Sequence, residues 1–106
     1  MDDVVSVYAI FADGEEARRI GRTAVEERLA ACVNILGPCQ SIYRWQDAVE
    51  ETEEVAAVFK TGAARAPRLI ERIAALHSYD VPAITVLPVA DTLPRYRAWI
   101  EENSGR

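Results

Sequence analysis

The spacing of apolar residues changes along the chain, and each change predicts a new element. A β-branched and aromatic run over residues 4–11 predicts a strand that is covered on both faces or central in its sheet. Asp13, followed three residues later by Glu16, predicts the start of a helix. Apolar residues then recur at helical spacing and predict that this helix runs to about Ala31.

A long hairpin is predicted in the middle of the chain. Residues 32–45 have strand composition but are interrupted by Gly37 and Pro38, which predicts a bulge or kink on an edge strand. Gln46-Asp47 predicts a two-residue turn, after which residues 49–60 return as the partner strand. The predicted register places Trp45 opposite Ala48, Arg44 opposite Val49, Tyr43 opposite Glu50 and Ile42 opposite Glu51.

Two further helices and one strand are predicted in the remaining third of the chain. Pro67 favours the first turn of a helix whose inner stripe consists of Leu69, Ile70, Ile73 and Leu76. Residues 77–82 form a loop because Pro82 keeps the preceding residue extended. Residues 83–89 predict the last strand. A short helix near Pro94 is expected to bury Tyr96, Trp99 and Ile100.

The resulting order is β-α-β-β-α-β followed by a C-terminal helix. This order predicts an α+β, ferredoxin-like split β-α-β-β-α-β sandwich, in which two helices cover one face of an antiparallel sheet. With 106 residues, the chain is expected to be a single domain over residues 1–106. The fold alone does not identify a function.

Composition and charge exclude several classes of partner. The chain has 12 basic and 17 acidic residues, a net charge of −5, which argues against nucleic-acid binding. No apolar run is long enough to cross a membrane, and the acidic start differs from a secretory signal, so we expect a cytoplasmic protein without a membrane partner. Cys32 and Cys39 would lie about 23 Å apart on opposite sides of an extended strand, so no disulfide between them is expected.

The motifs of common enzymes are absent from the sequence. There is no glycine-rich phosphate loop and no G-x-S-x-G elbow, and His77 is the only histidine, so no catalytic residue is assigned. Cys32 has the character of a small core residue. His77 is either a metal ligand or a residue that caps the last turn of its helix.

Two further clusters have two interpretations each. The carboxylates of Glu50, Glu51, Glu53 and Glu54, close to Asp47, suit hard cations but also protect an exposed strand edge against aggregation. Tyr43, Trp45 and Tyr79, with the single lysine Lys60, are candidates for a ligand cleft, and the alternative is that Tyr43 and Trp45 pack against each other or against a partner chain.

Several sequence blocks, in this order and spacing, resemble the CutA divalent-cation tolerance family. They are Leu29-Ala30-Ala31-Cys32-Val33-Asn34-Ile35, Ser41-Ile42-Tyr43-Arg44-Trp45, Lys60-Thr61, His77-Ser78-Tyr79-Asp80-Val81-Pro82-Ala83-Ile84, and Tyr96 with Trp99-Ile100. The resemblance implies a ferredoxin-like homotrimer linked to tolerance of copper and other divalent metals. It also implies kinship with the trimeric PII signalling proteins.

The chain departs from the family at the copper site. Of the cysteine and two histidines that the resemblance implies, only His77 is present, because Ala9 and Leu76 occupy the other two positions. Ser78 replaces the proline of the family's His-Pro-Tyr, and Asp47 replaces the usual glycine at the hairpin tip. The expected binding of Cu²⁺ or another divalent cation is therefore weak, through His77 and surface carboxylates.

We therefore expect a non-enzymatic homotrimer that needs no cofactor and acts in the response to divalent metal ions. The alternative is a PII-like signalling module that binds a small molecule in clefts between subunits, through Trp45, Lys60, His77 and Tyr79. A small hydrolase of acylphosphatase type is disfavoured because residues 11–14 offer an acid instead of an arginine. The outer strands are too short to cover the whole hairpin, which requires a partner chain, and the number three comes from the resemblance.

Overall fold

A computed structural model describes residues 3–105 and confirms the predicted α+β ferredoxin-like architecture. The sheet is antiparallel and has four strands in the order β2-β3-β1-β4. The elements are β1 (Val4–Phe11), α1 (Gly14–Glu26), β2 (Cys32–Trp45), β3 (Ala48–Gly62), α2 (Ala66–Leu76), β4 (Ile84–Pro88) and α3 (Pro94–Asn103).

The main core lies between the sheet and helices α1 and α2. Along β1, alternate side chains point to this core, and Val7, Ala9 and Phe11 are fully buried there. Val4 points to the other face, where it packs with Ile100 of α3 in a second, smaller cluster. β1 is therefore covered on both faces, as the sequence predicted. This explains why its odd and even positions are both apolar.

Helix α1 begins as predicted but ends five residues before the predicted end. The side chain of Asp13 accepts a 2.9 Å hydrogen bond from the Glu16 N–H, which confirms the N-cap. Arg28 has a φ of 60°, and the Leu29 N–H donates to the Ala24 carbonyl at 2.9 Å, so the chain leaves the helix here. Residues 29–31 are buried although they are not helical, which explains why the apolar spacing continued past the helix.

The central hairpin has the predicted turn and register. Gln46 and Asp47 both have positive φ values, 49° and 67°, as a two-residue primed turn requires. β3 is longer than predicted at both ends, since it begins at Ala48 and runs to Gly62. A bulge between Ile35 and Gly37 confirms the predicted interruption of β2. The observed pairs include Trp45 with Ala48, Arg44 with Val49, Tyr43 with Glu50 and Ile42 with Glu51.

Half of the hairpin extends beyond the rest of the sheet. β1 pairs with β3 only over residues 55–62, so residues 48–54 and their partners on β2 have no further strand beside them within residues 3–105. Ile42, Trp45 and Val49 in this half are each more than half exposed. The protruding hairpin therefore leaves apolar side chains uncovered by any other element within residues 3–105.

The C-terminal part differs from prediction in two details. β4 covers Ile84–Pro88 and not residues 83–89. α3 fully buries Ile100 but leaves Trp99 41% exposed, because successive residues lie about 100° apart around a helix. Tyr96 is partly buried, stacks on Trp99 and has its hydroxyl 3.5 Å from the Cys32 Sγ.

Candidate functional site

A cleft of about 570 Å³ lies where the protruding hairpin meets the loop after α2. Three aromatic side chains line it, Tyr43, Trp45 and Tyr79. Two carboxylate residues, Glu54 and Asp80, also line it, whereas no Arg, Lys or His of residues 3–105 does. The remaining lining residues are Ile10, Ser41, Val81 and Ala83. The cleft is thus mainly apolar, with acidic but no basic groups.

Strand alternation brings the hairpin side chains into the cleft. Tyr43 and Trp45 are two residues apart on β2 and therefore project from the same face of the sheet. Glu54 on β3 projects from this face too, because its neighbour Val55 points into the core beneath the helices. The cleft therefore lies on the face opposite α1 and α2.

Tyr79 connects the loop to the hairpin. Its hydroxyl donates a 2.6 Å hydrogen bond to Oε2 of Glu54, a residue that is only 8% exposed. Burial, followed by the hydrogen bond and negative charge of Glu54, raises the pKa of Tyr79 above its ordinary value. Tyr79 is therefore a neutral donor at physiological pH, and Glu54 is the acceptor.

His77 lies directly behind Tyr79, and both of its ring nitrogens are bonded within the protein. The Tyr79 N–H donates to Nδ1 at 3.1 Å, so the neutral ring carries its proton on Nε2, which donates to the Ile10 carbonyl at 2.8 Å. The ring stacks on Phe11 with centroids 5.2 Å apart, and the side chain has no exposed area.

These contacts bear on both roles that the sequence suggested for His77. His77 occupies the C-cap position of α2, as one of the two interpretations predicted, but its imidazole bonds the Ile10 carbonyl of β1 and not the carbonyls of the last helical turn. As a metal ligand, His77 would have to give up one of its two internal hydrogen bonds. The geometry instead gives His77 a positioning role, since it fixes the backbone of Tyr79.

Glu16 fixes the same loop from the opposite side. Its carboxylate accepts hydrogen bonds from the Ala12 N–H at 3.0 Å and the Ser78 N–H at 2.7 Å, and it lies 3.9 Å from Nδ1 of His77. Burial tends to raise the pKa of Glu16, but the hydrogen bonds from Ala12 and Ser78 and the proximity of His77 outweigh it and lower the pKa below its ordinary value. The sequence indicated only the capping role of Glu16.

The four residues of the predicted ligand cleft do not all meet within one chain. Trp45 and Tyr79 line the cleft together, with His77 behind Tyr79. Lys60 lies six residues from Glu54 along β3, about 20 Å away, and it is paired with Ser6 and Cys32.

The other candidate positions, Ala9, Leu76, Cys32 and Cys39, do not line the cleft. Ala9 is fully buried in the core, and Leu76 is partly buried against it. Within residues 3–105 there is no group of three or more His, Cys, Asp or Glu residues arranged to hold a metal ion. Cys32 and Cys39 are both free and only partly buried. Over the same residues, no helix is both long and apolar enough to span a membrane.

Comparison with known proteins identifies relatives along nearly the whole chain. The model of the CutA1 divalent ion tolerance protein family matches residues 5–103. The divalent-cation tolerance protein CutA of Thermus thermophilus is 50% identical over 105 residues, which cover 99% of this chain and 100% of that protein. The mouse protein CutA is 40% identical over 93% of this chain, but the match spans only 56% of the mouse protein.

A solved structure agrees in fold as well. The structure of the periplasmic divalent cation tolerance protein CutA from Archaeoglobus fulgidus superposes with a TM-score of 0.92 at 33% identity. The superposition covers 94% of this chain and 97% of that one.

Proposed function

The chain belongs to the CutA1 divalent ion tolerance protein family, and we propose that it acts as a homotrimer, without catalysis, in tolerance of divalent cations. The observation that carries this proposal is the family match over residues 5–103, together with 50% identity to a divalent-cation tolerance protein that is matched over its whole length. The two unpaired cysteines favour a reducing compartment, so we place the protein in the cytoplasm, although the Archaeoglobus relative is described as periplasmic.

The protruding hairpin supports the proposed trimer. Its outer half has strand edges without a neighbour among residues 3–105 and carries the exposed side chains of Ile42 and Val49 on the face opposite the cleft. A long apolar edge of this kind promotes aggregation unless another chain covers it. Cyclic association of identical chains would cover the hairpin of every subunit.

Light scattering coupled to size exclusion tests the trimer. The expected mass is three times the chain mass of 11.8 kDa at low micromolar concentration. A hairpin variant, Ile42→Lys with Val49→Lys, should dissociate it, whereas Arg68→Glu on the exposed surface of α2 should not. A stable, folded monomer of the wild-type chain would contradict the proposal.

Metal binding within this function is proposed to be weak. Copper and other divalent cations would meet the exposed carboxylates of the hairpin, Glu50, Glu51 and Glu53, which are not gathered into a closed ligand set. His77 is less suitable because its ring is buried and both nitrogens are bonded.

Growth of a bacterial strain that lacks its own CutA gene tests the proposed tolerance function. Expression of this chain should restore growth in elevated Cu²⁺ or Zn²⁺. The hairpin variant Ile42→Lys with Val49→Lys, which should dissociate the trimer, shows whether the tolerance requires the trimer. Failure of the wild-type chain to change growth in any divalent metal would contradict the function.

The cleft favours a second candidate function, that of a PII-like module that binds a small molecule. A volume of about 570 Å³ with aromatic walls is typical of a small-molecule site. In a trimer the cleft would lie close to a neighbouring subunit, which could add residues such as Lys60. A thermal-shift screen with metal ions and nucleotides separates the two functions. A ligand at 100 times its Kd should add about 2.7 kcal/mol to the free energy of unfolding.

A further inference from the structure

The carboxylate of Glu54 is nearly buried and has no positive partner among residues 3–105. It is 8% exposed, and it takes part in none of the ion pairs within that range. Its one hydrogen bond, from Tyr79, is made by Oε2, and Oε1 has no hydrogen-bond partner within the described residues. Oε1 is not among the fully buried atoms, so it is open to the cleft, and a carboxylate oxygen that faces a mainly apolar cleft attracts a cation.

The surroundings of Glu54 decide which kind of cation fits. A divalent metal requires several hard ligands in a closed set, and no group of three His, Cys, Asp or Glu residues within residues 3–105 provides one. Aromatic faces are poor ligands for such ions. They attract organic ammonium groups, however, when the cation lies within about 6 Å of the ring.

The cleft combines both features that an organic cation needs. Tyr43, Trp45 and Tyr79 provide aromatic walls, and Glu54 and Asp80 provide negative charge, with no basic lining residue to compete. Its volume of about 570 Å³ accommodates an amine with an apolar body. Tyr79 is held at this place by Glu54, His77 and Glu16, so the site is formed before any ligand binds.

We infer that this cleft binds a small organic cation, an aromatic or aliphatic ammonium compound whose charged group faces Glu54 and whose apolar body packs on Trp45 and Tyr43. The inference rests on the proposed small-molecule function of the cleft and specifies the class of ligand. It is independent of the metal-tolerance function.

The matched probes are benzylammonium and benzyl alcohol, which have similar shape but differ in charge. Calorimetry on the full chain at neutral pH should give binding of benzylammonium that is about tenfold tighter than that of benzyl alcohol. Glu54→Gln keeps the size and the acceptor for Tyr79 but removes the charge, and should eliminate this preference. Glu71→Gln, an exposed residue on α2, removes the same charge elsewhere and should leave both affinities unchanged.

Two results would overturn the inference, and they differ in what they say about the proposed function. Equal binding of both probes, with Glu54→Gln without effect, would leave a small-molecule cleft that does not select cations. No binding of either probe, with the NMR signal of the Trp45 indole unchanged, would overturn both the cation preference and the small-molecule function. Scattering measurements on Glu54→Gln would then show whether Glu54 contacts a basic residue of another copy, because the trimer should be weakened in that case.

Discussion

The Glu16 carboxylate accepts a 2.7 Å hydrogen bond from the Ser78 N–H, across 62 residues of sequence. The same side chain accepts the Ala12 N–H, so one buried acid joins the start of α1 to the loop that carries Tyr79. Glu16→Ala would leave both donors without a partner and should lower the free energy of unfolding by about 2–4 kcal/mol. Urea denaturation at constant protein concentration measures this loss.

Glu15→Ala is the matched control for Glu16→Ala. Glu15 precedes Glu16 on the same helix but is exposed, and within residues 3–105 its one ion pair is the i,i+4 contact with Arg19. The loss there should be below about 0.5 kcal/mol. Equal losses for the two variants would contradict the assigned role of Glu16.

The lowered pKa of Glu16 makes stability depend on pH in the acid range. Because the pKa is lower in the folded than in the unfolded state, the folded state binds fewer protons, and the stabilisation is complete above the ordinary value of 4.5. It is lost as the pH falls through the lowered folded value. When the free energy of unfolding is measured between about pH 6 and pH 3, it should change less with pH in Glu16→Gln than in the wild-type chain. In Glu15→Gln, the free energy of unfolding should change with pH as it does in the wild-type chain. If it changed just as steeply in Glu16→Gln, the pH effect would belong to another group.

His77 is expected to matter for stability and not for metal affinity. His77→Ala removes the bonds to the Ile10 carbonyl and the Tyr79 N–H and should cost about 2–4 kcal/mol. In titrations with Cu²⁺, His77→Gln should bind as weakly as the wild-type chain, within about a factor of two. Tight Cu²⁺ binding that is lost in His77→Gln would show that the loop opens and that His77 is a ligand.

The turn of the hairpin can be improved. Gln46 and Asp47 both adopt positive φ, which costs energy for residues other than glycine and asparagine. Gln46→Asn with Asp47→Gly should raise the free energy of unfolding by about 1 kcal/mol. Gly37→Ala should do the opposite, although its new Cβ would meet no atom within 4 Å, because Gly37 has a φ of 103°. A stabilising Gly37→Ala would contradict this explanation.

The local sequence was sufficient to predict the hairpin and its register. Once the turn was placed at Gln46-Asp47, the pairs from Trp45 with Ala48 to Gly37 with Ala56 followed by counting outward from it, and the bulge shifts the remaining pairs by one residue. The end of α1 was missed because Arg28 takes a left-handed conformation that favours glycine and asparagine, and the sequence offers neither there. The exposure of Trp99 was missed because the apolar character of a residue does not show which side of a short helix meets the sheet.

The site could be predicted only in part, for reasons of distance along the chain. Trp45 and Tyr79 were recognised as aromatic residues outside the core, and they do line one cleft. The bond between Glu54 and Tyr79 spans 25 residues, and that between Glu16 and Ser78 spans 62, so neither follows from a local pattern. Lys60 lies far along β3 from the cleft of its own chain, so its predicted place in a cleft between subunits stays a prediction.

The bulge at Ile35–Gly37 determines to which face of the sheet each later side chain of β2 points. Before the bulge, even-numbered residues such as Asn34 pair with the β3 positions that share the face of Glu54, whereas after it odd-numbered residues such as Tyr43 do so. If Leu36 instead paired with Ala56, without a bulge, every later residue of β2 would shift by one position on β3 and exchange its face of the sheet. Tyr43 would then point away from Glu54, and the cleft would lose its aromatic wall without any substitution among the residues that line it.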